Sequence, residues 1–110
     1  MGNLGIRVFH EALRSINSAG FTGAYQALGI VLAHNPFLWK IVNVSTVTVT
    51  ISLDGVVDHD ICPAGSFFLY DEGANASREG GLTVAKGTQI WVKGAAGLGF
   101  VYLVVQHVGG

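Results

Sequence analysis

TVTVTISLDGVVDHDI, residues 46–61, is the stretch that decides the fold of this 110-residue chain. Apolar and polar side chains alternate along its first half, which is the period-two pattern of a strand with one buried face. The apolar positions are Val47, Val49, Ile51 and Leu53. Asp54-Gly55 then predicts a tight type I′ turn, because this dipeptide accepts the positive φ angles that such a turn requires. Residues 56–61 supply the second arm, so the stretch predicts a β-hairpin.

Short strand patterns separated by turn residues continue along most of the chain. Residues 66–71 are unusually apolar, which predicts a central strand buried on both faces, and the last two strands are expected to form a hairpin around a flexible loop at 94–99. Seven or eight short strands with turns about every 8 to 12 residues predict an all-β antiparallel sandwich or jelly roll. The predicted strands are residues 24–33, 37–43, 46–53, 56–61, 66–71, 83–85, 88–93 and 100–106.

The N-terminal segment has a different pattern, so the chain is divided into an arm at 1–20 and a sandwich domain at 21–110. Large apolar side chains recur there at three- and four-residue spacing, which predicts one amphipathic helix. Residues 13–18 fit an extended arm equally well. In either form the arm is expected to dock on a neighbouring subunit through Ile6, Phe9, Leu13 and Ile16.

The composition points to association with other protein chains. The net charge is −1, half of the residues are hydrophobic and only 12% are charged, about half the charged share of an average soluble domain. A net charge so close to zero gives no reason to expect binding to nucleic acid. No apolar stretch approaches the ~20 residues that a membrane-spanning helix needs. A homo-oligomer that buries its apolar surface is favoured over a monomer whose surface is rich in Gly, Ala, Ser and Thr.

One cluster has side chains that could bind a metal: Asp54, Asp58, His59, Asp60 and Cys62. Its spacing matches neither a calcium loop nor a zinc knuckle, and on a strand its members point to both faces. It is interpreted as a solvent-facing acidic edge. No nucleophile-elbow motif is present, and the single cysteine allows no intrachain disulfide. We therefore expect no catalytic residue, no metal and no cofactor.

Four aromatic residues could form the platform of a carbohydrate- or ligand-binding sandwich: Trp39, Tyr70, Trp91 and Tyr102. All four lie inside strand patterns, where packing in the core or at a subunit interface is the more common role. Trp39 and Trp91 are therefore added to the predicted subunit interface, and the ligand-binding module is kept as the alternative function.

Several short motifs together carry a family resemblance. They are YQALG at 25–29, FLWKIVN at 37–43, ISLDGVVDHDICPAG followed by SFFLYD at 51–71, and KGTQIWVKG with GFVYL at 86–103. Over about residues 23–106 the chain resembles small virion proteins of tailed bacteriophages, with Trp91 at a position where that pattern has Tyr. The resemblance implies a non-enzymatic structural subunit at the head–tail connector or neck, in the tail, or on the capsid as a minor or cement protein.

The same resemblance implies the partners and the location. The partners would be further copies of the chain together with portal, neck, tail or major capsid proteins. The protein would be assembled in the host bacterial cytoplasm and end in the virion.

Overall fold

A computed structural model describes residues 8–36, 38–71 and 86–108. This part of the chain forms nine strands and one short 3-10 turn at Ser18–Gly20. All described strand pairs are antiparallel and belong to two sheets. The strands are β1 (Val8–His10), β2 (Arg14–Asn17), β3 (Gln26–Ala27), β4 (Leu38–Ser45), β5 (Val49–Ser52), β6 (Asp60–Cys62), β7 (Phe67–Asp71), β8 (Trp91–Lys93) and β9 (Gly99–Val108).

The strand order is that of a jelly roll. Sheet A runs β2-β9-β4-β7, with β1 also paired to β9, and sheet B runs β3-β8-β5-β6. Two four-stranded layers connected in this order form the eight-stranded double-sheet roll. Arg14 of β2 donates to the carbonyl of Ile30, just after β3, and β6 and β7 contact each other. The sandwich therefore has a β2–β3 side and a β6–β7 side, and the predicted all-β antiparallel sandwich is confirmed.

The core lies between the inner faces of the two sheets. Strands β4 and β9 alternate buried and partly exposed residues along most of their length, as expected for strands with one buried face. Phe68 packs against the same core from β7. The fully buried aliphatic side chains are Leu28, Leu32, Ile41, Val49, Ile51, Ile90, Val92, Val101, Leu103 and Val105.

The prediction of an amphipathic α-helix is wrong over residues 8–17, and the alternative of an extended arm is confirmed at Arg14–Asn17. β2 pairs with β9 in the register Arg14↔Leu103 and Ile16↔Val101. Arg14 and Ile16 consequently point inward, and hydrogen bonding to β9 overrides the local helical spacing. Ile6 lies outside the described residues. The domain boundary at residue 20 stays a prediction.

Other predicted strands are shorter or lie elsewhere. The 24–33 segment has only β3, and Gly29 beyond its end adopts φ +74°. Leu28 and Leu32 still donate to the Ile90 and Thr88 carbonyls. β8 and β9 lie in different sheets and form no hairpin. Their connecting loop is held in place, since the Gly97 amide donates to the Ser18 carbonyl. The strand predicted at 83–85 lies outside the described residues.

β7 is the last strand of sheet A, so the prediction of a central strand buried on both faces is wrong. Phe67 and Leu69 are 63% and 50% exposed, whereas Phe68 between them packs against the core. The run of apolar residues therefore has one inward and one outward face. An apolar outward face needs a reason other than core formation.

The predicted hairpin exists with a longer turn than expected. β5 and β6 pair in the register Val49↔Cys62 and Ile51↔Asp60, which leaves residues 53–59 as the connection. Gly55 has φ +79°, but no non-glycine residue among those described has a positive φ. A type I′ turn needs positive φ angles at two successive residues, and neither neighbour of Gly55 has one. The predicted turn type is therefore wrong. The Asp54 carboxylate accepts from the Val56 and Val57 amides at 2.8 and 2.9 Å and shapes the turn.

Gly55→Val should destabilise the domain by about 1–3 kcal/mol, because a side chain at positive φ is strained. A Cβ at this position would also lie 3.1 Å from the Trp91 ring. Gly65→Val is the matched control, since Gly65 has φ +72° with nothing within 4 Å of its Cβ position. Urea unfolding should show the larger loss for Gly55→Val. Equal midpoints for this variant and the parent would contradict the assigned turn.

Candidate functional site

The outer face of sheet A is apolar over three neighbouring strands. Residues directly opposite in paired strands share a face, and Val42 lies between Phe67 of β7 and Tyr102 of β9. Val44 lies opposite Phe100 in the same way, and these two side chains are 58% and 42% exposed. We call this surface the apolar face; its members are Leu38, Val42, Val44, Phe67, Leu69, Phe100, Tyr102 and Val104.

The apolar face has very little charge. Lys40 lies between Leu69 and Val104, and Asp71 is paired with Leu38 at the end of β7. The rings of Phe100 and Tyr102 stack with centroids 6.1 Å apart. Monomeric proteins rarely expose contiguous apolar patches of this kind, and such patches usually mark interaction sites.

A buried ion pair closes the β2–β3 side of the sandwich. An Arg14 terminal nitrogen lies 2.7 Å from Glu11 Oε1, and both side chains are 5% exposed. The guanidinium also donates to the carbonyls of Ile30 and Val31, each at 2.9 Å. These bonds connect the edge of sheet A to the segment that continues from β3. A buried ion pair is stable only when its polar atoms are satisfied in this way.

Gly29 makes the arrangement possible. A Cβ on this residue would lie 2.6–2.9 Å from the Cβ, Cγ and Cδ atoms of Arg14. Glycine has no Cβ and readily adopts φ +74°. Only glycine at this position therefore leaves room for the Arg14 side chain to cross from one sheet to the other.

Glu11 is the acceptor that completes the pair. It also accepts from the Ala33 amide at 3.2 Å and lies 2.9 Å from Nδ1 of His34. Burial by itself raises the pKa of Glu11, but the hydrogen bonds from Arg14, His34 and the Ala33 amide outweigh it, so that the pKa lies below 4.5. Glu11 is therefore ionised at neutral pH and stabilises the folded state as a carboxylate.

Two histidines stack beside this pair. The rings of His34 and His107 are 3.6 Å apart and nearly parallel, with an interplanar angle of 4°. Phe9 stacks on His107 at 5.6 Å. His107 is 6% exposed, and its Nδ1 has no hydrogen-bond partner in the described part of the chain. The stack joins β1, β9 and the segment after β3.

A cleft of about 510 Å³ opens on this side of the molecule. We call it the lateral cleft. Among its polar side chains, Glu11 is bonded to Arg14 and to His34, whereas Leu13 and Ile30 are 61% and 72% exposed at its rim. The lining residues are Glu11, Ala12, Leu13, Arg14, Gly29, Ile30, Ala33 and His34.

The opposite side of the sandwich also exposes large apolar side chains. Ile61 of β6 is 56% exposed, and Phe67 and Leu69 of β7 are 63% and 50% exposed. Ile61 lies opposite Thr50 on the outer face of sheet B, whereas Phe67 and Leu69 belong to the apolar face of sheet A.

The residues predicted for a subunit interface are not gathered at one place. Phe9 and Leu13 are 36% and 61% exposed. Ile16 packs against the core, and Trp39 is 2% exposed, so it has almost no surface for another chain to cover. Trp91 lies under the Gly55 turn on sheet B. The interface itself stays a prediction.

The aromatic residues considered for a ligand platform lie on different surfaces. Trp39 faces the core, Trp91 belongs to sheet B, and Tyr102 lies on the apolar face of sheet A. The side chain of Tyr70 is outside the described part of the structure. These positions bring no three of them together.

Side chains of the acidic cluster near the hairpin form hydrogen bonds with other residues of the chain. Asp58 accepts from the Tyr25 hydroxyl and lies 2.9 Å from Lys93 Nζ. Burial, together with the hydrogen bond to Asp58, raises the pKa of Tyr25 to about 12. Hydrogen bonds from the backbone amides of Val57 and Val56 lower the pKa of Asp54 to about 2. His59 Nδ1 accepts from the Leu53 amide. No group of three or more His, Cys, Asp or Glu residues that could hold a metal occurs within residues 8–36, 38–71 and 86–108.

The buried pair and its cleft were missed by sequence reasoning. The apolar spacing that predicts a helix in the N-terminal arm includes neither Glu11 nor Arg14. Their partners lie 16 to 23 residues away, after β3. No local pattern reports such contacts; the one available signal is Gly29 inside an otherwise apolar strand pattern.

Comparison with known proteins adds little to this geometry. No protein-family model and no curated protein matches the sequence. One solved structure, of Bacillus endospore appendages described as a novel family of disulfide-linked pili, aligns over 100% of this chain and 96% of its own. The identity is 11% and the TM-score is 0.48, and at that level no property of the appendages is transferred to this chain. No helix in the described residues is long and apolar enough to span a membrane.

Glu11→Gln should destabilise the fold at pH 7 by on the order of 3 kcal/mol, because it leaves the buried Arg14 charge without its counter-ion. The pKa of Glu11 is depressed in the folded state, so its stabilisation is present above its ordinary pKa of 4.5 and is lost as the pH falls through the lower folded value. The difference in the free energy of unfolding between the parent and Glu11→Gln, measured by urea unfolding, should therefore be smaller at pH 3 than at pH 7.

Asp60→Asn is the control for Glu11→Gln, because Asp60 is an exposed acidic residue outside the ion pair. It should leave the stability at pH 7 nearly unchanged. A Glu11→Gln variant as stable as the control would contradict the role assigned to the buried pair.

Addition of EDTA should leave the melting temperature unchanged, because Asp54, Asp58 and His59 are engaged in hydrogen bonds with the chain itself. Differential scanning calorimetry with and without the chelator measures this. A drop of several degrees that one divalent ion reverses would establish a metal site.

Proposed function

We propose that this chain is a non-enzymatic structural subunit that assembles with copies of itself. The observation that carries the proposal is the apolar face of sheet A, on which Val44, Phe67, Leu69 and Phe100 are 42–63% exposed. Alternation in β4, β7 and β9 places these side chains outward, although the inward positions already form a core. Full burial of each large side chain is worth about 1.5–3 kcal/mol, so covering several of them favours association.

The low charge of the chain supports the same proposal. With 12% charged residues and a net charge of −1, copies do not repel each other strongly. Closed symmetric assemblies bring equivalent surfaces together repeatedly. The single cysteine, Cys62, is 0% exposed, so the association we propose is non-covalent.

The finer proposal is that the particle is a bacteriophage virion, with this subunit in the head–tail connector, the tail, or the capsid as a minor or cement protein. Its support is the resemblance of residues 23–106 to small virion proteins. Jelly rolls occur in capsid proteins and equally in lectins and cupins, so the fold is compatible with this proposal and does not select it. A carbohydrate-binding role is not favoured, since Trp39, Trp91 and Tyr102 lie on different surfaces.

Phe67→Lys should shift the protein from oligomer to monomer, because it places a charge within the apolar face while the 63% exposed side chain contributes little to the core. Analytical ultracentrifugation of the purified chain measures the change, and circular dichroism verifies the fold. Val56→Lys is the control with the same charge change, at a 79% exposed position outside sheet A.

The parent should sediment as an oligomer, and so should Val56→Lys. A parent chain that is monomeric at high micromolar concentration, both alone and in lysate of its host, would refute self-assembly.

A further inference from the structure

The two stacked histidines lie between the layers of the sandwich on its β2–β3 side. His107 belongs to the inner face of β9, since it continues the alternation of the buried residues Val101, Leu103 and Val105. His34 lies on the segment after β3, and its ring is parallel to that of His107 at a centroid distance of 3.6 Å. The histidine stack, His34 with His107, therefore connects sheet A to the segment that continues from an edge strand of sheet B.

The surroundings of the histidine stack can accommodate one positive charge but oppose a second. The Glu11 carboxylate lies 2.9 Å from Nδ1 of His34, where it can neutralise a proton on that ring. The same carboxylate also pairs with Arg14 at 2.7 Å, so its single negative charge is already shared. His107 is 6% exposed, and its Nδ1 has no hydrogen-bond partner in the described part of the chain. A proton on each ring would place two positive charges 3.6 Å apart, one of them buried and unpaired.

The elements packed around the histidine stack supply no second carboxylate within the described residues. β1 contributes the exposed His10 and also Phe9, whose ring stacks on that of His107 at 5.6 Å. β2 contributes Arg14, and Lys86 adjoins the segment after β3 through its backbone amide. The described inner faces of β4 and β9 have no other charged residue. A second proton on the stack would therefore meet positive groups only.

We propose that the histidine stack is an acid-sensitive latch, which holds β1 on the sandwich at neutral pH and releases it when both rings are protonated. Histidine is the side chain whose charge ordinarily changes between pH 5 and 8. In the closed form the two rings together bind one proton, whereas separated rings bind two. The open form thus binds more protons, so the closed form loses stability as the pH falls. β1 is the element released, because it pairs with β9 over three residues and its Phe9 rests on His107.

Hydrogen exchange of the full chain, measured by mass spectrometry, tests the latch. After correction for intrinsic exchange rates, the opening constant of residues 8–11 should rise by about 10-fold from pH 7 to pH 5 in the parent. In His107→Phe, which keeps an aromatic ring but binds no proton, it should change by less than about 2-fold. His34→Phe should behave in the same way, and its 40% exposed position makes it the second variant if His107→Phe does not fold. Glu11 stays ionised over this pH range, because its pKa lies below 4.5.

His10→Gln is the matched control, because it removes an exposed histidine of β1 that lies outside the histidine stack. It should keep the rise seen in the parent. Nitrogen NMR of the imidazole rings at about pH 5.5 should show one protonated ring in the stack of the folded parent, within the ordinary titration range of histidine. Two protonated rings while β1 stays protected would overturn the latch. An opening constant that does not change with pH in the parent, or a rise that persists in both phenylalanine variants, would overturn it as well.

Discussion

The Glu11–Arg14 ion pair is the interaction on which this side of the structure depends. Two charged side chains at 5% exposure would be costly if either lacked a partner. Arg14 is satisfied by Glu11 and by the carbonyls of Ile30 and Val31, and the two bonds to these carbonyls connect sheet A to the segment after β3. The pair thereby closes the sandwich where no hairpin joins the two sheets, and its position creates the lateral cleft.

The opposite side is held by a different polar contact. Asn43 is 1% exposed on the inner side of β4, and its amide nitrogen donates to the carbonyls of Val47 and Cys62 at 2.8 and 3.0 Å. This side chain connects β4 to the β5 entrance and to β6. Both sides of the jelly roll thus combine a buried polar residue within the chain and apolar side chains on the outside. That combination stabilises the fold of one copy while leaving surface for another.

Core formation and the proposed self-assembly use different side chains of the same strands. In β7, Phe68 serves the core while Phe67 and Leu69 face outward. A strand buried on both faces and an edge strand in a subunit interface have the same composition, since each must cover apolar side chains on two sides. The apolar run at 66–71 therefore predicts a strand correctly but does not fix its position in the sheet.

The sequence by itself determined the fold class, because the period-two alternation around Val49 and Ile51 and the positive φ at Gly55 are local properties. It did not determine strand lengths next to turns that side-chain hydrogen bonds stabilise, such as the turn at Asp54. It also did not determine the extended form of residues 14–17, because that form depends on pairing with β9. Only the tertiary structure decided which apolar side chains stay exposed and that the Glu11–Arg14 pair is buried against the segment after β3. Sheet order and contacts between segments distant in sequence set these features, and neither leaves a local pattern.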